Sequence, residues 1–151
     1  MMKVNAYNAI PRYMRTWFNC GGFALQTLDW LQPELPGCHD YYDKAELPSV
    51  TEDCVEQLLE TFPGQLRVID DPRKRERYEE IVLFRVSSDR DFHFMVQHGN
   101  TFYHKQGSRT VLRKTSIHDA YNTVWDGRYD GPIVIFAKLK TPCHYMEDYD
   151  Y

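Results

Sequence analysis

At 151 residues, with 42% apolar, 15% aromatic and 26% charged positions, the chain is the size of one domain and can bury a sizeable core, which excludes general disorder. A net charge of −4 and a pI near 5.8 speak against nucleic-acid binding, which needs a basic face to displace counterions. No apolar run reaches the length of a membrane span, and the opening MMKVNAYNAIPRYMR lacks the apolar stretch of a signal peptide. That start fits a chain that is cytoplasmic at synthesis, and leaves open association with a virion or delivery as an effector.

In chain order, Asn19 is a good helix N-cap ahead of Cys20, and Phe23, Ala24, Leu28 and Leu31 recur at helical spacing up to Pro33. A first helix is therefore predicted from Cys20 to just before Pro33. The stretch from Pro33 to Pro48, with Pro36, Gly37 and the pair Tyr41-Tyr42, reads as a loop or lid. Ser49 followed by Glu52 has the spacing of a capping box, opening a second helix with Val55, Leu58, Leu59 and Phe62 on its apolar face and Pro63-Gly64 at its end. The period then becomes strand-like. Strands are predicted over Gln65–Ile69, Tyr78–Ser87, Asp91–Gln97 and Thr101–Gln106, the last two joined by a turn at His98-Gly99-Asn100. Ser116–Tyr121 reads as a short helix, Asp126-Gly127 and Asp130-Gly131 as turns, and PIVIFAKLK (Pro132–Lys140) as a strand apolar enough to lie inside the sheet. The basic run Arg73-Lys74-Arg75 with Arg77 lies between acidic pairs and reads as a solvated, internally balanced connection. Helices first and a mostly antiparallel sheet after them give an α+β class in one domain over 1–151, its acidic end from about 145 a flexible tail.

Cys20, Cys38, Cys54 and Cys143 are expected to be free thiols, in the absence of an export signal. Cys38-His39 and Cys143-His144 lack the close spacing of a zinc site, so no metal or cofactor is expected. Cys20 is the exception that suggests chemistry. A thiol in the first turn of a helix meets the positive end of the helix dipole, which favours the thiolate. Gly21 and Gly22 behind it would leave backbone amides open to an approaching carbonyl, as an oxyanion site requires. His93 lies on one strand of the hairpin and His104 on the other. A three-residue turn would set Phe94 opposite His104, one step out of register from His93, so that the two imidazoles could sit together as base and orienting partner.

The segments Trp17-Phe18-Asn19-Cys20-Gly21-Gly22-Phe23-Ala24 and DFHFMVQHGNTFYHKQG (Asp91–Gly107) resemble the two motifs of NlpC-type papain-like cysteine peptidases. They are still closer to bacterial and phage-type proteins with an Asn-Cys motif and a similar Tyr-His-Phe and Ser-His-Lys hairpin. The resemblance implies a papain-like fold, Cys20 as nucleophile, His93 as base and His104 as the orienting residue, with Tyr13 as the counterpart of an upstream tyrosine near the oxyanion. Asn19 and Gly21 stand where these peptidases usually have Asp and Ser. Trp30, with Tyr41-Tyr42, is a candidate for the substrate groove. The implied activity is amide cleavage through an acyl-enzyme, on a peptide, protein or peptidoglycan-peptide substrate. A catalytically inactive binding module on the same fold and an acyl- or amide-transfer enzyme using the same residues are the alternatives.

Overall fold

The segment Ile81–Val86 is buried along its whole length, because it runs through the middle of a sheet covered on both faces. The structure, a computed structural model, describes residues 12–27, 29–36 and 41–140. Its strands are β1 (Leu66–Ile69), β2 (Glu79–Val86), β3 (Phe92–His98), β4 (Thr101–Lys105), β5 (Leu112–Ser116) and β6 (Val134–Leu139). They form one antiparallel sheet in the order β1-β6-β2-β3-β4-β5. The class is therefore α+β, and the last strand enters between β1 and β2, inside the sheet as its apolar sequence requires.

Side chains alternate across the sheet. Val82, Phe84, Phe94, Val96, Tyr103 and Phe136 pack with Phe18, Phe23 and Leu58, on the side that holds α1 (Cys20–Ala24) and α2 (Leu47–Thr61). Ile81, Leu83, Met95, Phe102 and Ala137 pack on the other side with Trp125, Tyr129 and Ala120 of α3 (Ile117–Asn122). No helix among the described residues is long and apolar enough to cross a membrane.

Three expectations need correction. The first helix stops at Ala24 rather than running to Leu31. The chain reverses through Gln26, whose φ is 61°, and its return brings the Asp29 carbonyl against Gly22. The second helix begins two residues before Ser49, at Leu47, after a 3-10 turn (Lys44–Glu46). There the Glu46 carboxylate accepts the Asp43 backbone N–H at 3.1 Å, so the acidic cap acts upstream of the Ser49–Glu52 pair. The edge strand β5 was hidden in a polar sequence, LRKTS, whose Leu112 is its one buried residue. The basic run does pair locally, Arg73 with Asp71 at 2.6 Å and Lys74 with Asp70 at 2.7 Å. The acidic tail and the pairs Cys38-His39 and Cys143-His144 lie outside the described residues.

Candidate active site

The hairpin turn decides which faces the two histidines occupy. It has two residues rather than three: Gly99 takes φ 61°, and His98 pairs with Thr101, Gln97 with Phe102 and Val96 with Tyr103. This register carries His104 to the level of Met95 instead of Phe94, on the face that His93 shares. The β3–β4 ladder runs no further than Val96↔Tyr103, and beyond it the side chains close the gap. His93 Nε2 lies 2.7 Å from His104 Nδ1, and His104 Nε2 lies 3.0 Å from Thr115 Oγ1 on β5.

The His93 ring is held on its other sides by aromatic groups. Tyr129 stacks on it at 5.2 Å with an interplanar angle of 25°, and Trp125 approaches edge-on. The Tyr129 hydroxyl donates to Asp91 Oδ2 at 3.1 Å, and the Arg128 guanidinium bridges Asp89 and Asp91 at 2.7 and 2.8 Å. Burial drives both histidines toward the neutral form. His93 is held well below the ordinary imidazole value, first by desolvation and then by His104, Arg113 and Arg128. His104 falls to about 4, again chiefly by burial, with Asp126 opposing the shift and Arg113 adding to it.

Cys20 reaches the same place from the opposite face. It lines, with His93, Asn19, Trp30, Gln32, Asp91, Gln106, Arg128 and Tyr129, a cleft of about 430 Å³. The Asn19 side chain builds its rim. Oδ1 accepts the Gly22 N–H at 3.1 Å as the N-cap and also the Leu31 N–H at 3.1 Å, while Nδ2 donates to the Leu31 carbonyl at 2.6 Å. An aspartate has no donor for that carbonyl, so asparagine is the residue this rim requires. The bond pair fixes the segment that carries Trp30 to the start of α1.

The expected thiolate at rest is not what this environment favours. Cys20 is 4% exposed, and desolvation pushes its thiol up to about 12, a larger effect than the Phe94 and Gly21 amides that hydrogen-bond the sulfur and favour the anion. A five-residue helix carries too little dipole to reverse this.

Tyr13 does not reach the cleft. It is 66% exposed and packs edge-on against Trp17, with ring centres 5.7 Å apart. Gly21 is likewise absent from the cleft wall, packed beneath Leu31 and Phe94, and its amide faces the Cys20 sulfur. Tyr41 and Tyr42 lie elsewhere: Tyr42 is buried and bonds Ser88 and the Pro36 carbonyl, while the 33–36 segment is tied to Gln57 of α2. Trp30, half exposed, lines the cleft. The residues that sequence reasoning missed are Thr115, Asp91, Arg128 and Tyr129, which come from an edge strand, a strand end and a turn; the turn is marked by Asp126-Gly127 and Asp130-Gly131, but nothing local shows that it brings Arg128 and Tyr129 to His93.

No family model, curated protein or solved structure matches the chain. Among the described residues no group of three or more His, Cys, Asp or Glu side chains could hold a metal ion.

The two glycines after Cys20 differ sharply in what they tolerate. A Cβ on Gly22 would stand 1.8 Å from the Asp29 carbonyl oxygen, whereas one on Gly21 would meet side-chain atoms, Leu31 Cδ2 and Phe94 Cε2 at 3.1 Å and Leu31 Cβ at 3.2 Å. Gly22→Ala is expected to cost about 3 kcal/mol or more and Gly21→Ala about 1–2 kcal/mol, because backbone cannot yield as a side chain can. Chemical denaturation of the two variants checks this, and equal losses would mean that the 26–31 return is not packed on Gly22.

Proposed function

We propose that the chain is a papain-like, NlpC-type cysteine hydrolase that cleaves an amide through an acyl-enzyme on Cys20. The observation that carries this reading is the 2.7 Å contact of His93 Nε2 with His104 Nδ1 beside a cleft that Cys20 also lines. That contact occupies Nε2 and leaves Nδ1 as the nitrogen for the thiol.

The steps follow from the neutral resting pair. His93 Nδ1 takes the thiol proton as Cys20 sulfur attacks the substrate carbonyl, so the C–S bond forms without a standing thiolate. We assign the developing oxyanion to the Cys20 backbone N–H, the first of α1, whose place in the helix leaves it without an intrahelical acceptor. Collapse breaks the C–N bond, and the imidazolium returns its proton to the departing amine. Water, deprotonated by the same Nδ1, then hydrolyses the thioester, releasing the acid and restoring the thiol. Throughout, His93 Nε2–H donates to His104 Nδ1, which requires the other His104 nitrogen to carry hydrogen and donate to Thr115 Oγ1. Burial that keeps His104 neutral keeps it an acceptor.

One observation favours a second reading, a non-catalytic binding module on the same fold: Cys20 is as buried as a core cysteine, with its thiol held protonated. Reactivity separates the two. Treatment of the native chain with an electrophilic probe near neutral pH, followed by peptide mapping, is expected to label Cys20 far faster than Cys38, Cys54 or Cys143. The fast phase should vanish in Cys20→Ala and slow in His93→Ala. Uniformly slow labelling of all four thiols would sink the hydrolase reading.

A further inference from the structure

Strand β4 places neighbouring residues on opposite faces of the sheet, and both point to the site. His104 meets His93, and the next residue, Lys105, faces α1. Lys105 is fully buried. Its Nζ donates to the Phe18 carbonyl at 2.5 Å and to the Gly107 carbonyl, and lies 5.0 Å from the centre of the Phe18 ring.

A buried ammonium normally sits against a carboxylate. Lys138 on the same sheet does so, with Glu80 at 3.4 Å. No carboxylate among the described residues pairs with Lys105; the acidic group that interacts with it is the Cys20 thiol. The carbonyl that Lys105 holds belongs to Phe18, two residues before Cys20, and among the described residues the charged groups that act on Cys20 are Asp91, which disfavours an anion there, and Lys105, which favours one. Asp91 is already engaged by Arg128 and Tyr129, whereas the Lys105 charge meets only carbonyl and ring dipoles.

We propose that Lys105 is a positioning residue for the nucleophile: its ammonium ties down the segment leading into Cys20 and supplies the positive charge opposite the anion that forms there. The inference rests on the hydrolase reading and adds to it the source of that charge, since both imidazoles begin the reaction neutral. Burial also brings the Lys105 ammonium down to about 8, so its charge is present at neutral pH and is lost within the alkaline range.

The test is the pH dependence of iodoacetamide alkylation at Cys20 in the full chain, with Cys54 as internal reference. Lys105→Met keeps the length and removes the charge. It is expected to lower the Cys20 rate about tenfold at pH 7, where Lys105 is charged, and to leave it near wild type above about pH 9, where wild-type Lys105 has lost its proton. Lys105→Arg, which stays charged, should keep the wild-type rate at pH 7. A Lys105→Met deficit that is absent at pH 7, or that stays the same from pH 7 to above pH 9, overturns the proposal, because the loss of a structural anchor does not follow the Lys105 proton. Should Lys105→Met fail to fold, the wild type decides: its Cys20 rate divided by that of Cys54 should fall about tenfold as pH rises through 8, and a ratio with no step there overturns the proposal. Wild-type Cys20 that reacts no faster than Cys54 at pH 7 removes the hydrolase reading instead, while the pH dependence still judges Lys105.

Discussion

His93→Ala is expected to lower turnover by about 100- to 10,000-fold, the usual worth of a positioned general base. Burial holds the thiol protonated, so on the hydrolase reading the anion forms by proton transfer to His93. His104→Ala should leave a measurable remainder, because Nδ1 of His93 is still present but its ring is less well held and the charge formed on it has lost an acceptor. The identity of the contacting atom sharpens the rescue. His93 meets Nδ1 of His104, not Nε2. The side-chain oxygen of asparagine falls where Nδ1 stands, and that of glutamine falls nearer to Nε2. His104→Asn should therefore recover more activity than His104→Gln. The expected order is wild type, His104→Asn, His104→Ala, His93→Ala, read from steady-state rates on a turned-over amide or from probe-labelling rates at Cys20. If His104→Ala loses everything while His93→Ala keeps full reactivity, the two roles are exchanged. If neither change matters, Cys20 does not work with this hairpin.

Local patterns in the sequence carried five of the six strands and singled out Cys20, His93, His104 and Trp30, but not the register that brings the two histidines together. Gly99-Asn100 was visible as a turn, yet its length was misread by one residue, and one residue decides which face His104 occupies. The helix after Cys20 was overextended because Leu31 fits a 3.6-residue period, while the two bonds from Asn19 to Leu31 are long-range facts that no period encodes. Thr115 was missed for a related reason. Edge strand β5 has polar residues on both faces, so neither its existence nor its pairing of Thr115 with Phe102 leaves a hydrophobic trace. Only the resemblance makes Tyr13 a neighbour of the nucleophile, and the chain instead packs it edge-on against Trp17 outside the cleft.

Acid should unfold this protein earlier than its carboxylates alone would dictate. In the unfolded chain both histidines titrate near the ordinary imidazole value of about 6.5, whereas folding holds His104 at about 4 and His93 well below its usual value. The unfolded state therefore binds more protons between those limits, and stability must rise with pH across them. The contribution is complete above about pH 6.5 and is lost as pH falls toward 4. For His104 alone the loss amounts to about 3 kcal/mol, and His93 adds to it in the same direction. The paired carboxylates act in a lower window, since Asp71 is held near 2 and Asp70, Asp89 and Glu79 below their ordinary values. Denaturant unfolding at a series of pH values between 7 and 4 is expected to show this slope, and His104→Asn to flatten it while leaving stability below pH 4 nearly unchanged. The same burial keeps His93 neutral, so on the hydrolase reading any loss of activity on the acid side should follow unfolding rather than protonation of His93 in the folded protein. A stability curve that is flat from pH 7 to 4.5 would show that the two imidazoles reach water, and with it that His93 is not held as a neutral base.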